Sequence, residues 1–251
     1  MLLQPLFDKL TQLRLPAFRE GLQDQLQNPQ YSQLAFEERL ALLVDQECTR
    51  RTSHRLQRRL VTAAFPFPAL IEDLDLSSPR GLDRRVVLEL SQCAWVDHHL
   101  NVIIEGPTGA GKTYLACALG QSACRNNFTV RYFRTSRLLQ QLARAHQEGT
   151  SVSLLTRLAQ ADLIILDDWM RDTITLSQAQ DLLEIMDDRY GRASTLVATQ
   201  VPVAEYHGRF PDPVLADAIL DRLIHNAHRL NLTGESQRKT RSTGRMPSTA
   251  V

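Results

Sequence analysis

Through residues 2–64 apolar positions recur at spacings of three and four, and no stretch reads as a strand. Leu3, Leu6, Leu10, Leu13 and Leu15 mark a first amphipathic helix, interrupted at Pro16. A second spans about Ala17 to Leu26 and stops before Asn28-Pro29. A third begins near Ser32, with Leu34, Phe36, Leu40, Leu43 and Val44 on its apolar side and Glu37-Glu38 near its positive end. Its pattern can run on through Arg50-Arg51 to Leu60. Ala64-Phe65-Pro66-Phe67-Pro68 breaks the periodicity, and Ser77-Ser78-Pro79-Arg80-Gly81 breaks it again. The expectation is a small all-α N-terminal domain over 1–64 and a linker over 65–82.

Helical spacing returns over about Asp83 to Cys93, and then the pattern alternates. Short apolar runs at Val102–Glu105, Thr129–Phe133, Asp162–Leu166, Thr195–Thr199 and His228–Leu232 read as strands. Helical stretches separate them, after the first strand and over Ser136–Gln147, Val152–Gln160, Leu176–Arg189 and Pro213–Ala227. Strands alternating with helices predict an α/β domain, a parallel sheet covered on both faces, over 83–238. Residues 239–251 are polar and rich in Ser, Thr, Gly and Pro, and read as a disordered tail.

Composition narrows this little. The chain has 251 residues, 43% hydrophobic and 23% charged, with a net charge of +1, so a nucleic-acid partner must be argued from local charge. No run of 18 apolar residues and no secretory leader is present, which predicts a cytoplasmic protein without a membrane partner. Cys48, Cys93, Cys117 and Cys124 have no C-x-x-C spacing and read as reduced thiols.

Chemistry concentrates where the first strand ends. Gly106-Pro107-Thr108-Gly109-Ala110-Gly111-Lys112-Thr113 fits G-x-x-x-x-G-K-[ST], between a strand and a helix opening at Tyr114-Leu115-Ala116. Glycines let the backbone wrap a phosphate closely, and the freed N–H groups with the helix N-terminus form an anion site. Lys112 can reach the β- and γ-phosphates, and the Thr113 hydroxyl can hold Mg²⁺. The apolar strand Leu163-Ile164-Ile165-Leu166 ends in Asp167-Asp168. Asp167 is the expected carboxylate on the metal side, through water, and Asp168 is placed to polarise the attacking water. Thr199 or Gln200, ending the fourth strand, can orient that water or sense the γ-phosphate, and spacing does not choose between them. Arg222, in Asp221-Arg222-Leu223, reads by periodicity as a surface helix arginine, with an arginine finger as the alternative.

Arg50 to Arg59 holds five arginines and no acid, and Arg51, Arg55, Arg58 and Arg59 share one broad helix face. Such a stripe suits sequence-tolerant contacts to duplex DNA phosphates, and a solvated face is the competing reading. His98-His99 and His225-x-x-His228 lack companion ligands at useful spacing. The chain has no N-K-x-D run for guanine and no L-S-G-G-Q signature, which argues against GTPases and ABC ATPases.

These blocks resemble the IstB-like ATP-binding proteins, AAA+ ATPase partners of insertion-sequence transposases. The resemblance runs from about Leu6 to Lys239 and rests on GPTGAGKTYLACALG, DLIILDDW, DLLEIMDDRY, TLVATQVPV, ADAILDRLIHNAHRL and the ending GESQRK. It implies a P-loop NTPase of AAA+ type with a five-stranded parallel sheet, using ATP and Mg²⁺ through Lys112, Thr113, Asp167 and Asp168. It implies a homo-oligomer that assembles on DNA in its ATP state and assists a cognate transposase, with hydrolysis stimulated by DNA and dependent on assembly. It raises Thr199-Gln200 to a sensor, Arg222 to a finger, and Arg238 to a weaker phosphate or interface contact. The chain departs from the family at Met170, where glycine is usual. Helicase loaders of the DnaC type are similar as well, so a loader, or a DNA-bound scaffold with little hydrolysis, stands as an alternative.

Overall fold

The spaced leucines of the N-terminal stretch build three helices in the computed structural model, which describes residues 3–75 and 81–234. These are α1 (Leu3–Gln12), α2 (Pro16–Gln27) and α3 (Phe36–Ala63). Pro16 opens α2, because its fixed φ suits a first turn and its missing N–H would have been unpaired there. Arg14, in the left-handed region at φ 55°, turns the chain between α1 and α2. The Asn28 side chain accepts the Gln30 N–H at 3.1 Å and starts a 3-10 turn over Pro29–Gln33. At the start of α3, Glu38 accepts the N–H of Ala35 at 2.9 Å.

The chain divides into two compact units, Met1–Arg58 and Arg59–Val251, so α3 belongs to both. The core of the first unit is thin, with Leu10, Ala17 and Leu43 buried. Gly21 lets α2 approach α3, since a Cβ there would lie 2.9 Å from Leu43 Cδ2 and collide with Gln46 Oε1. Glu47, buried in mid-α3, accepts the N–H groups of Ala17 and Phe18 at 2.9 and 3.1 Å. It thereby caps α2 from another helix, where a negative charge is favoured.

In the second unit, α4 (Arg84–Ser91) is capped by Asp83, whose side chain accepts the Arg85 N–H at 2.7 Å. Cys93, at φ 65°, redirects the chain into a short helix not expected from the sequence, α5 (Ala94–Asp97). Then β1 (Asn101–Glu105), α6 (Lys112–Arg125), β2 (Val130–Arg134), α7 (Thr135–Gln147), α8 (Ser151–Ala159) and β3 (Leu163–Asp167) follow. The chain continues through α9 (Leu176–Arg189), β4 (Ser194–Thr199), α10 (Pro213–Ile224) and β5 (Ala227–Asn231). All five strands are parallel, in the order β2-β3-β4-β1-β5. The fold is thus the expected α/β one.

The unbroken apolar runs of β1, β3 and β4 are explained by burial on both faces. Ile103, Ile164, Leu166 and Val197 pack with Leu138, Leu142, Leu182, Ile185 and Ile219 of α7, α9 and α10. On the other face α6 lies so close that a Cβ on Gly120 would meet Ile165 Cδ1 at 2.6 Å and the Phe65 ring at 2.8 Å.

Buried Arg189 ties the strand starts together. Its guanidinium donates to the carbonyls of Leu158 and Ala161, at 2.6 and 2.7 Å, and to that of Ser194. Cys93, Cys117 and Cys124 are buried, and burial pushes their thiols up to about 11, about 12 and about 12. All three are therefore protonated at neutral pH, the unreactive form.

The described part of the 65–82 stretch lies in the second unit. Phe65 is tilted against Tyr132 with ring centroids 6.5 Å apart, Phe67 stacks on Tyr114 at 6.0 Å, and Ala69 is buried. The prolines here stop a helix without freeing the chain, because the aromatic rings between them gain by packing. Residues 76–80 of that stretch, Arg238 and the 239–251 tail lie outside the described residues. No described helix is long and apolar enough to cross a membrane.

Candidate nucleotide site

The strand order makes the site. Because β4 lies between β1 and β3, the loop after β1, the acid ending β3 and the polar pair ending β4 emerge along one edge. The register pairs Glu105 with Thr199 and Asp167 with Ala198.

The loop itself runs from Gly106 to Thr113. Gly106, Gly109 and Gly111 have φ of 152°, 86° and 99°, and a Cβ on Gly106 would collide with the Leu232 carbonyl. That position needs glycine twice, for its dihedral and for the close approach of the chain after β5. Lys112 opens α6, and its Nζ donates to the carbonyls of Gly106 and Pro107 at 2.8 and 2.9 Å. The ammonium is thus held over the loop's concave side, where a bound phosphate would compete for it.

Thr113 and Asp167 meet across the ends of α6 and β3. The Thr113 hydroxyl donates to Asp167 Oδ1 and Oδ2 at 3.1 and 3.0 Å. Asp167 is 2% exposed, and Tyr132 Oη donates to its Oδ2 at 2.7 Å. Burial, then the hydrogen bond and charge of Asp167, push the Tyr132 phenol well above its usual range, so it remains a donor. Thr135 Oγ1 donates to the Asp167 carbonyl at 3.0 Å and fixes the backbone. A hydroxyl and a carboxylate at this separation are hard oxygen donors of the type Mg²⁺ takes alongside phosphate oxygens and water.

Asp168 turns away from its neighbour. Its φ of 55° lies in the left-handed region, which aspartate tolerates better than most residues, and its carboxylate faces the cleft. Arg171 Nη1 lies 3.6 Å from its Oδ2. Asp167 is therefore the buried carboxylate on Thr113, while Asp168 is accessible to a water.

Thr199 and Gln200, indistinguishable by spacing, differ in three dimensions. Thr199 is fully buried, and its hydroxyl donates to the Trp169 carbonyl at 2.8 Å and accepts the Val201 N–H at 3.0 Å. Gln200 lines the cleft, and its Oε1 accepts the Thr108 hydroxyl at 2.6 Å. Arg222 is not brought to this edge. Its carbonyl accepts from the side chain of Asn101, the first residue of β1, so it sits at the other end of the strands. Its guanidinium pairs with Asp187 and donates to the Ala218 carbonyl at 2.7 Å.

The cleft has a volume of about 500 Å³. Beyond the loop its wall includes Phe67, Leu74, Leu82, Leu232 and Arg134. No motif in the sequence marks the apolar Phe67, Leu74, Leu82 and Leu232, or Tyr132, as part of a site. The alternation of proline and phenylalanine at Phe65–Pro68 is the signal available for Phe67, and by itself it marks only a break in periodicity.

The four arginines of the expected DNA stripe divide. Arg51 Nε donates to Glu47 Oε1 at 2.8 Å, and its Nη2 donates to the Arg14 carbonyl at 2.9 Å. Arg59, in the second unit, donates to Asn127 Oδ1 at 3.0 Å. Arg55 and Arg58 are exposed and line a concavity of the first unit.

The family model described as IstB-like ATP binding protein matches residues 8–244. Two proteins of Sinorhizobium fredii named as insertion-sequence ATP-binding proteins are 43% and 45% identical to the chain. They cover 95% and 96% of it, and 98% and 97% of their own lengths are matched. An ATP-binding protein of a Mycobacterium tuberculosis insertion sequence is 33% identical over 95% of the chain and 96% of its own length. Among solved structures, DnaI superposes with a TM-score of 0.58 at 18% identity, covering 67% of this chain and 96% of that one. AMPPCP-bound DnaA from Aquifex aeolicus gives 0.58 at 18% identity, covering 74% and 58%. These two likenesses show the fold, a helix-flanked P-loop sheet of AAA+ type.

Proposed function

This chain belongs to the family of IstB-like ATP-binding proteins, and we propose that it hydrolyses ATP as an oligomer on DNA to assist a transposase. The observation that carries the catalytic part is the Thr113–Asp167 pair, held beneath a glycine loop whose lysine is already on its concave side. The loop N–H groups and Lys112 would bind the β- and γ-phosphates, with Lys112 exchanging its two carbonyl partners for phosphate oxygens. Thr113 and Asp167 would hold Mg²⁺, directly or through water, and the ion's chemistry there is to neutralise charge on the phosphates.

Asp168 would accept the proton of the water that attacks the γ-phosphorus. The bond from that phosphorus to the β–γ bridging oxygen breaks, leaving ADP and inorganic phosphate. Gln200, beside Thr108, would report whether the γ-phosphate is present. Arg222 cannot serve its own cleft from the far end of the strands, so its proposed role is a finger in a neighbouring subunit's site. Phe67, Leu74, Leu82 and Leu232 would form the wall for the base and ribose.

Assembly on duplex DNA without strong sequence preference, and a cognate transposase as partner, are proposed from the names of the relatives. Turnover measured with and without duplex DNA and the transposase tests the reading. Stimulation by both is expected. No turnover under any condition would reduce the protein to an ATP-dependent scaffold, and stimulation by a replicative helicase instead would favour a loader.

A further inference from the structure

The first unit carries a cationic concavity of about 280 Å³ that the nucleotide chemistry does not use. It is lined by Arg14, from the turn between α1 and α2, and by Arg50, Arg51, His54, Arg55 and Arg58 of α3. The acid in this lining is Glu47, and its carboxylate is committed. One oxygen accepts the α2 N–H groups of Ala17 and Phe18, and the other accepts from Arg51. Arg50 is paired with Glu20 at 2.7 Å. Among the described residues, Arg14, Arg55 and Arg58 have no acid within ion-pair distance.

Arg51 explains how Arg14 is held. The positive φ of Arg14 is unfavourable for a residue other than glycine or asparagine. Arg51 donates to the Arg14 carbonyl while bound to Glu47, so the turn is held from α3. Glu47 fixes α2, Arg51 fixes the turn, and the turn delivers a third exposed guanidinium beside Arg55 and Arg58.

We infer that Arg14, Arg55 and Arg58 form a seat for the phosphate backbone of duplex DNA, braced internally by Arg51 and Glu47. This rests on the proposed action on DNA and assigns the contact to a surface outside the nucleotide cleft. Guanidinium forks match phosphate oxygens in pairs, and several in one concavity repel one another until an anion arrives. The lining has no Phe, Tyr or Trp, and the single imidazole of His54 is no platform for successive unpaired bases, which argues against single strands. It also lacks the apolar wall that a free nucleotide would need. Arg51 and Arg59, part of the arginine stripe in the sequence, are excluded from the seat because their guanidinium groups are engaged elsewhere.

The test uses the full chain with ATP and a short fluorescent duplex, read by anisotropy across a salt series. The triple variant Arg14→Gln, Arg55→Gln, Arg58→Gln should bind at least about tenfold more weakly, with a log–log salt slope shallower by about 2 to 3. Lysines at the same three positions should restore most of the slope, and ATP affinity should be unchanged in both variants. Wild-type affinity and slope in the glutamine variant would overturn the seat. Footprinting of the unmodified chain with an arginine-selective dicarbonyl checks the same point without a variant. Duplex should protect Arg14, Arg55 and Arg58, and reactivity unchanged by bound duplex would overturn the assignment. Equal protection by inorganic phosphate at the same low concentration would assign the seat to a free anion. A wild-type chain that binds no duplex with ATP would instead overturn the proposed action on DNA.

Discussion

The hydroxyl of Thr113 lies between the two carboxylate oxygens of Asp167, tying the first turn of α6 to the end of β3. Neither side chain needs to travel to share an ion. Asp167→Asn keeps the shape and an acceptor for Tyr132 but removes the charge. On the proposed metal role, this substitution should lower Mg²⁺-dependent ATP affinity and turnover by about 10- to 100-fold. ATP binding in the presence of a chelator should change far less. Calorimetric titrations with Mg²⁺ and with chelator check this, and equal losses in both would place Asp167 outside the metal site.

Thr199 and Gln200 should separate in their effects. Thr199→Val removes the donor to the buried Trp169 carbonyl and the acceptor for the Val201 N–H, and should destabilise the unit by about 1–3 kcal/mol. Gln200→Ala touches an exposed side chain and should leave the melting temperature unchanged while lowering turnover. Thermal unfolding and steady-state turnover on the two variants decide the matter. A stable Thr199→Val protein with lost turnover would return the sensor role to Thr199.

Phe67→Ala probes the cleft wall. The ring stacks on Tyr114 with an interplanar angle of 20°, yet Phe67 remains 39% exposed, so its removal should cost little stability. An aromatic contact to a base is worth about 0.5–1.5 kcal/mol, which predicts a loss in ATP affinity of about 2- to 13-fold. Inorganic tripolyphosphate, which has no base, should bind the variant and the parent alike. A parallel loss for both ligands would show that Phe67 shapes the loop and not the base pocket.

Short unbroken apolar runs located the five strands and period-3.6 patterns most helices, because a sheet buried on both faces forces runs such as Leu163–Leu166. Phosphate chemistry was equally legible, since glycine spacing and a strand-terminal acid are local signals. What sequence could not supply was orientation. Thr199 and Gln200 are adjacent in an extended strand end, so they face opposite ways, and only packing shows which faces the cleft. Arg51 and Arg58 are similar in sequence, but Arg51 is claimed by Glu47 and by the Arg14 carbonyl, a contact across 37 residues. The apolar wall of the cleft comes from residues before β1 and after β5, a tertiary meeting with no sequence period.

Arg222 carries a prediction that needs two kinds of subunit. Its guanidinium is paired with Asp187 at the opposite end of the strands from the loop, so a finger role requires both a neighbour and release from that pair. Arg222→Ala should retain ATP binding while losing turnover on the order of 10³-fold in the assembled state. Lys112→Ala should lose its own site while still presenting Arg222. Mixing the two inactive variants should therefore restore part of the turnover. Mixtures that assemble on DNA and remain inactive would remove Arg222 from the reaction.

Met170 sets two opposed energies against each other. Its φ of 52° is a left-handed conformation, and removing its Cβ would relieve about 1–2 kcal/mol. The family resemblance implies glycine here, which that dihedral explains. Yet the Met170 side chain is 2% exposed and packs in the cluster with Trp169 and Leu182, and emptying such a site costs about 2–5 kcal/mol. Burial outweighs strain, so Met170→Gly should destabilise the unit by about 1–3 kcal/mol, lowering its melting temperature by several degrees. Met170→Ala should fall further, because it opens nearly the same cavity and keeps the unfavourable dihedral. Calorimetric melting of both variants gives the comparison, and an alanine variant more stable than the glycine variant would show that the backbone at this position is not strained.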